Sequence, residues 1–189
     1  PRGFRFLSSL MASSAAAVLA MTVLLIFLVR AFYPGLYIDE GLYVGAANAV
    51  LHNDWFLTRY WFDKPPLGVY LLSLGILSFG QNSFAYHFSG LVFYFIDYFL
   101  LLEIGKIISS KKGWGFFPFR LLVSAVFVSP LFLVHGPSAY MEPFQLFFLL
   151  LCLLEMLRAI RGESGTEKKV AVYFMLAALC KHTAIVWGP

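Results

Sequence analysis

Charge is what this sequence has least of. Only 13% of its 189 residues are Asp, Glu, Lys or Arg, while 60% are hydrophobic and 19% aromatic. A soluble domain carries about 25% charged residues, so the composition excludes an ordinary water-soluble globule. Cysteine is nearly absent as well. Cys152 and Cys180 both sit inside apolar runs, which excludes a disulfide framework or a CxxC metal site and leaves two small buried hydrophobes. The net charge is +4, yet no basic run interleaves with aromatics, so no nucleic-acid partner is indicated. No internal repeat breaks the chain into units.

What the sequence does have is long apolar runs. Crossing a hydrocarbon core of ~30 Å takes about 20 apolar residues, and five stretches qualify: Leu7–Val29, Phe84–Gly105, Phe119–His135, Pro143–Ile160 and Val170–Gly188. The first is longer than a signal-peptide core and lacks a small-residue cleavage site, so it reads as an uncleaved first span. A sixth segment, Leu67–Gly80, is too short to cross at 1.5 Å per residue. Leaving it on the surface puts Arg2 and Arg5; Lys106, Lys111, Lys112 and Arg120; and Arg158, Arg161, Lys168 and Lys169 on one side. That is ten of the 14 basic residues, the asymmetry expected of a cytoplasmic face. The expected fold is an all-α polytopic membrane bundle of about five transmembrane helices, a single domain over 1–189. It sits in the plasma (inner) membrane with its amino terminus cytoplasmic.

In this topology residues 31–83 form a large outer loop with four acids against two bases. Two surface helices are expected in it, Asp39–His52 and a second after Pro66. Three features then collect on the outer face: Asp39-Glu40, Asp63-Lys64 and Glu142. Acids and a lysine at a membrane surface suit chemistry on a lipid phosphate, because Lys can neutralise a leaving phosphate and a carboxylate can take a hydroxyl proton. Each residue also has a plainer reading. Asp39 and Glu142 can act as helix caps, and Lys64 can snorkel to head groups.

The stretch "YIDEGLYVGAANAVLHNDWFLTRYWFDKPPLGVYLLSLGILSFGQNSFAYHFSG" resembles the first outer loop of the GT-C membrane glycosyltransferases. The nearest group is family 39, the protein O-mannosyltransferases and lipid A aminoarabinose transferases. "GPSAYMEPFQLFFLLLCLLEMLRA" resembles the next motif, in which an acid opens a span. The resemblance covers nearly the whole chain and the amino-terminal part of a typical member. It implies an inverting transferase that takes a sugar from a polyprenyl-phosphate carrier to an acceptor hydroxyl at the outer face. Asp39 would be the general base and Glu40 its acidic neighbour. Lys64 would hold the carrier phosphate, with Asp63 beside it or helping to bind a divalent metal ion, and Glu142 would shape the acceptor or metal side.

The alternative is non-catalytic: a shortened GT-C-like accessory subunit packed on a larger membrane protein complex and binding lipid, carotenoid or another pigment. Further polar residues lie in the apolar runs. Asp97, mid-span, is by its place a functional or partner-contact residue, or a protonated acid bonded to a neighbouring helix. Glu103 with Lys106, and Glu155 with Arg158, read as helix ion pairs. Lys181-His182 in the last run either points into the phosphate site or snorkels. His52, His87, His135 and His182 all map to the outer half, without a metal-ligand spacing.

Overall fold

The computed structural model of the protein describes residues 21, 22, 25, 38–55, 57, 62–112, 116–129 and 138–183. Among these it is all helical, with no strand: α1 (Ile38–Leu51), α2 (Leu67–Phe79), α3 (Ser83–Lys112), α4 (Phe116–Val128), α5 (Glu142–Ile160) and α6 (Thr166–Cys180).

Both α1 and α2 stop for local reasons. At the end of α1, Asn53 adopts φ 68°, a left-handed conformation that Asn tolerates better than most side chains. The N–H groups of Asn53 and Asp54 then donate to the carbonyls of Val50 (3.1 Å) and Ala49 (3.0 Å), closing carbonyls that the helix end leaves open. α2 begins behind Pro66, whose carbonyl accepts the Tyr70 N–H at 3.1 Å. It ends at Gly80, φ 75°, where only a residue without Cβ is relaxed. Asn82 starts α3 by accepting the Ala85 N–H on its side-chain oxygen at 2.9 Å.

α2 buries Gly68, Val69, Leu72, Ser73, Gly75 and Ile76, one helical stripe. Its two glycines mark close approaches. A Cβ on Gly68 would lie 2.3 Å from Met141 Sδ, and one on Gly75 would lie 2.4 Å from the Ala85 carbonyl oxygen. Small residues at helix contacts let backbones approach in this way.

The last four helices, α3 to α6, alternate in direction. Tyr94 donates its hydroxyl to the Phe127 carbonyl, and the Tyr98 hydroxyl pairs with Ser124 Oγ at 3.1 Å, so α4 runs back along α3. α5 runs with α3: Phe93 packs edge-on against Phe144 and Phe147 at 5.0 Å, and further along Arg161 donates to the Ile107 carbonyl at 2.7 Å. α6 returns along α5 after a connection with Gly162 and Gly165 at φ 85° and 78°. Ion pairs close both ends of that hairpin, Glu142 with Lys181 (2.5 Å) and Glu155 with Lys169 (3.6 Å). Phe99, Leu122, Leu153 and Met175 turn outward from α3, α4, α5 and α6 with 40–62% exposure, a surface suited to hydrocarbon. The pairs Glu103–Lys106 and Glu155–Arg158 form as i,i+3 contacts.

Among the described residues one helix, α5, is long and apolar enough to cross a membrane. The structure therefore carries an all-helical, membrane-compatible protein and not a count of five spans. The expected first span lies outside the described residues apart from Met21, Thr22 and Leu25. α3 covers the second and runs on to Lys112, and α4 covers the third as far as Val128, with 130–135 outside the described residues. The fifth differs from expectation. α6 stops at Cys180 because Lys181 turns extended, φ −156° and ψ 126°, and its carbonyl accepts a hydrogen bond from Gln145 Nε2 at 3.1 Å. Leu67–Gly80 becomes α2, whose 13 residues make about 20 Å of helix.

Candidate active site

Asp39 lies inside the first turn of α1, which already begins at Ile38. It is therefore not the residue before the helix, although the helix dipole still favours its charge there. Tyr43 follows one turn later, on the same face. The Tyr43 ring meets Phe62 at 5.9 Å and Tyr140 at 6.0 Å, both edge-on. Its phenol is pushed up to about 12, first by burial and then by the carboxylates of Glu142, Asp39 and Asp63, with Tyr140 adding to them. Three acids from three separate segments thus bear on one buried hydroxyl.

Each flanking acid has a cation. Lys64 Nζ donates to Asp63 Oδ2 at 2.5 Å. This bond, then the Lys64 charge, an Asp63 backbone hydrogen bond and the charge of His182 hold the Asp63 carboxyl below the usual range. Lys181 Nζ donates to Glu142 Oε1 at 2.5 Å. Lys181 is aimed by Gln145, one turn along α5 from Glu142. The Gln145 amide donates to the Lys181 carbonyl at 3.1 Å and to Thr183 Oγ1 at 3.2 Å. Of the residues expected from sequence, Asp39, Asp63, Lys64 and Glu142 come together here. Glu40 turns the other way, into the core, fully buried.

The sequence reading missed Tyr43 and Tyr140. Tyr43 had a signal, its i,i+4 spacing from Asp39; Tyr140 had only its nearness to Glu142. Lys181 joins the site through a contact 39 residues away, which no local pattern reveals. The histidines disperse. His52 Nδ1 lies 2.7 Å from the Asn48 carbonyl at the end of α1, His87 faces Glu40, His182 stands by Asp63, and His135 lies outside the described residues. Asp97 is buried in mid-α3, about 20 Å along the helix from its start, with its Oδ1 lacking a hydrogen-bond partner among the described residues.

The described residues hold no ready-made cluster of protein ligands for a divalent ion. No three His, Cys, Asp or Glu among them assemble as ligands, and Asp63 and Glu142 each already hold an ammonium. No step is therefore routed through a metal.

The Tyr43 environment predicts alkaline sensitivity. An unfolded tyrosine ionises near 10 and the folded one near 12, so between those values the unfolded chain binds fewer protons and stability falls as pH rises. The melting temperature is expected to drop between about pH 10 and 12. Tyr43→Phe should flatten that drop, and an unchanged alkaline profile in the variant counts against the assignment.

No family model matches the chain, and no solved structure matches it. A similar protein is the undecaprenyl phosphate-alpha-4-amino-4-deoxy-L-arabinose arabinosyl transferase of Pseudomonas savastanoi pv. phaseolicola (strain 1448A / Race 6). The two are 36% identical over 74 residues, which are 36% of this chain and 14% of that protein. The likeness is to a GT-C-type transferase. Over this short shared stretch it supports a GT-C-like relationship and nothing finer.

Proposed function

We propose that this chain forms the catalytic end of an inverting glycosyltransferase that moves a sugar from a polyprenyl-phosphate carrier to an acceptor hydroxyl. The observation that carries this reading is the convergence of Asp39, Asp63 and Glu142 on Tyr43, with Lys64 and Lys181 as cations. The relative described above is named for an undecaprenyl phosphate-linked sugar, which supports the same class of donor here.

Asp39, exposed at the helix start, takes the proton of the acceptor hydroxyl. The acceptor oxygen bonds to the anomeric carbon from the face opposite the phosphate, so the centre inverts. The bond from that carbon to the phosphate oxygen breaks, and its electron pair leaves on the polyprenyl phosphate. Lys64 and Lys181 neutralise the leaving phosphate, each already oriented by a carboxylate. The helix ends remote from the site carry Lys106, Arg158, Arg161 and Lys169. This supports an outer-face site and a cytoplasmic amino terminus, with the membrane's own lipids around the bundle.

The test uses the protein in its membrane, supplied with a polyprenyl-phosphate-linked sugar and a hydroxyl acceptor. Transfer by the wild type that disappears in Asp39→Asn supports the reading. Undiminished transfer by the variant sinks the assigned base.

A further inference from the structure

Asp39 and Glu40 are neighbours on a helix, about 100° apart around its axis, and they have opposite fates. Asp39 is exposed, while Glu40 is 0% exposed. A buried carboxylate is tolerated only when it is paired and hydrogen-bonded. Glu40 Oε1 accepts the Ala139 backbone N–H at 2.9 Å and lies 3.4 Å from His87 Nε2.

The other nitrogen of His87 fixes what that contact is. His87 Nδ1 is 2.7 Å from the Ser83 carbonyl oxygen. A carbonyl can only accept, so Nδ1 carries a hydrogen. Nε2 therefore faces Glu40 with either a lone pair or a second proton. Nε2 makes no hydrogen bond among the described residues, so its 3.4 Å approach to Glu40 is a charge contact, attractive only when one of the two groups carries the extra proton; without it two sets of lone pairs oppose each other. His87 itself stands on the capped first turns of α3, where Asn82 accepts the Ala85 N–H.

The attachments of Glu40 bracket the site. Glu40 is adjacent to Asp39, and Ala139 is three residues before Glu142. We propose that His87 is a positioning residue. Through its 3.4 Å contact with the buried Glu40 carboxyl, which also accepts the Ala139 N–H, it ties the first turn of α1 and the segment 138–141 to α3, and so sets Asp39 and Glu142 relative to each other. The kinetic consequence rests on the transferase reading above; the brace itself does not.

The experiment compares His87→Met, similar in bulk but without a donor, with His87→Gln, whose amide can donate to Glu40. A melting-temperature cycle joins His87→Met with Glu40→Ala. In the intact protein, His87→Met is expected to lower kcat about ten- to hundredfold with little change in KM, as for a misplaced reacting group. His87→Gln should stay close to wild type. In the melting cycle, the double variant should fall no further than the worse single one. Additive losses, or a His87→Gln that fails as badly as His87→Met, overturn the brace. Coupled melting with an unchanged kcat in His87→Met overturns its positioning role. Coupled melting in a protein whose wild type transfers no sugar supports the brace and overturns the transferase reading instead.

Discussion

Asp39→Asn is expected to lower sugar transfer by about two to four orders of magnitude, the usual contribution of a positioned general base. The amide has the shape of the carboxylate but cannot take a proton. Among the described residues no neighbour is placed to replace it. Asp63 and Glu142 are each engaged by a lysine, and Glu40 is sealed in the core under Ala139 and His87. The loss should fall on kcat, because the proposed reading gives donor binding to Lys64 and Lys181 rather than to Asp39. A rise in donor KM with kcat intact would mean that Asp39 binds substrate instead of deprotonating it. Asp39→Glu separates charge from geometry. It keeps a proton acceptor but moves it by a methylene, so partial activity is expected. The measurement is initial transfer rate against donor concentration for the three proteins in the same membranes.

The parts of the fold that local chemistry dictates were legible in the sequence. Pro65-Pro66 and Gly80 bound α2, and Asn53 ends α1, because each of these residues restricts or frees the backbone by itself. The pairs Glu103–Lys106 and Glu155–Arg158 were legible too, since i,i+3 spacing alone brings them together. The end of α6 was not. Cys180 is followed by "KHTAIVWG", apolar enough to continue a helix, but a hydrogen bond from Gln145, 36 residues earlier, holds the Lys181 carbonyl outside it. The same distance hid the Lys181–Glu142 pair. Asp39-Glu40 shows the limit most clearly. Helical geometry requires adjacent residues to diverge, but which acid turns inward depends on distant partners such as Ala139 and His87.

Gly75→Val should produce the largest loss of stability among single glycine replacements on α2, about 1–3 kcal/mol or more for a side chain forced into a filled contact. The reason is the atom it meets. A Cβ at Gly75 comes within 2.4 Å of the Ala85 carbonyl oxygen and 3.2 Å of Ser89 Oγ. Ala85 is fully buried in the first turn of α3, and its carbonyl cannot rotate away as a side chain can. At Gly68 the obstacle at 2.3 Å is Met141 Sδ, a flexible thioether, and the penalty should be smaller. Gly41 gives the opposite sign. A Cβ there meets nothing within 4 Å, and Gly→Ala inside a helix gains about 0.5–1 kcal/mol, so Gly41→Ala should raise the melting temperature. The three variants, melted side by side, test whether α2 is held against α3 by backbone contact. If Gly75→Val melts with the wild type, α2 is free to move off α3. Asp63 and its partner Lys64, just before Pro66 at its start, would then have no fixed place near Tyr43, and the convergence of charges on Tyr43 would not be a property of the fold.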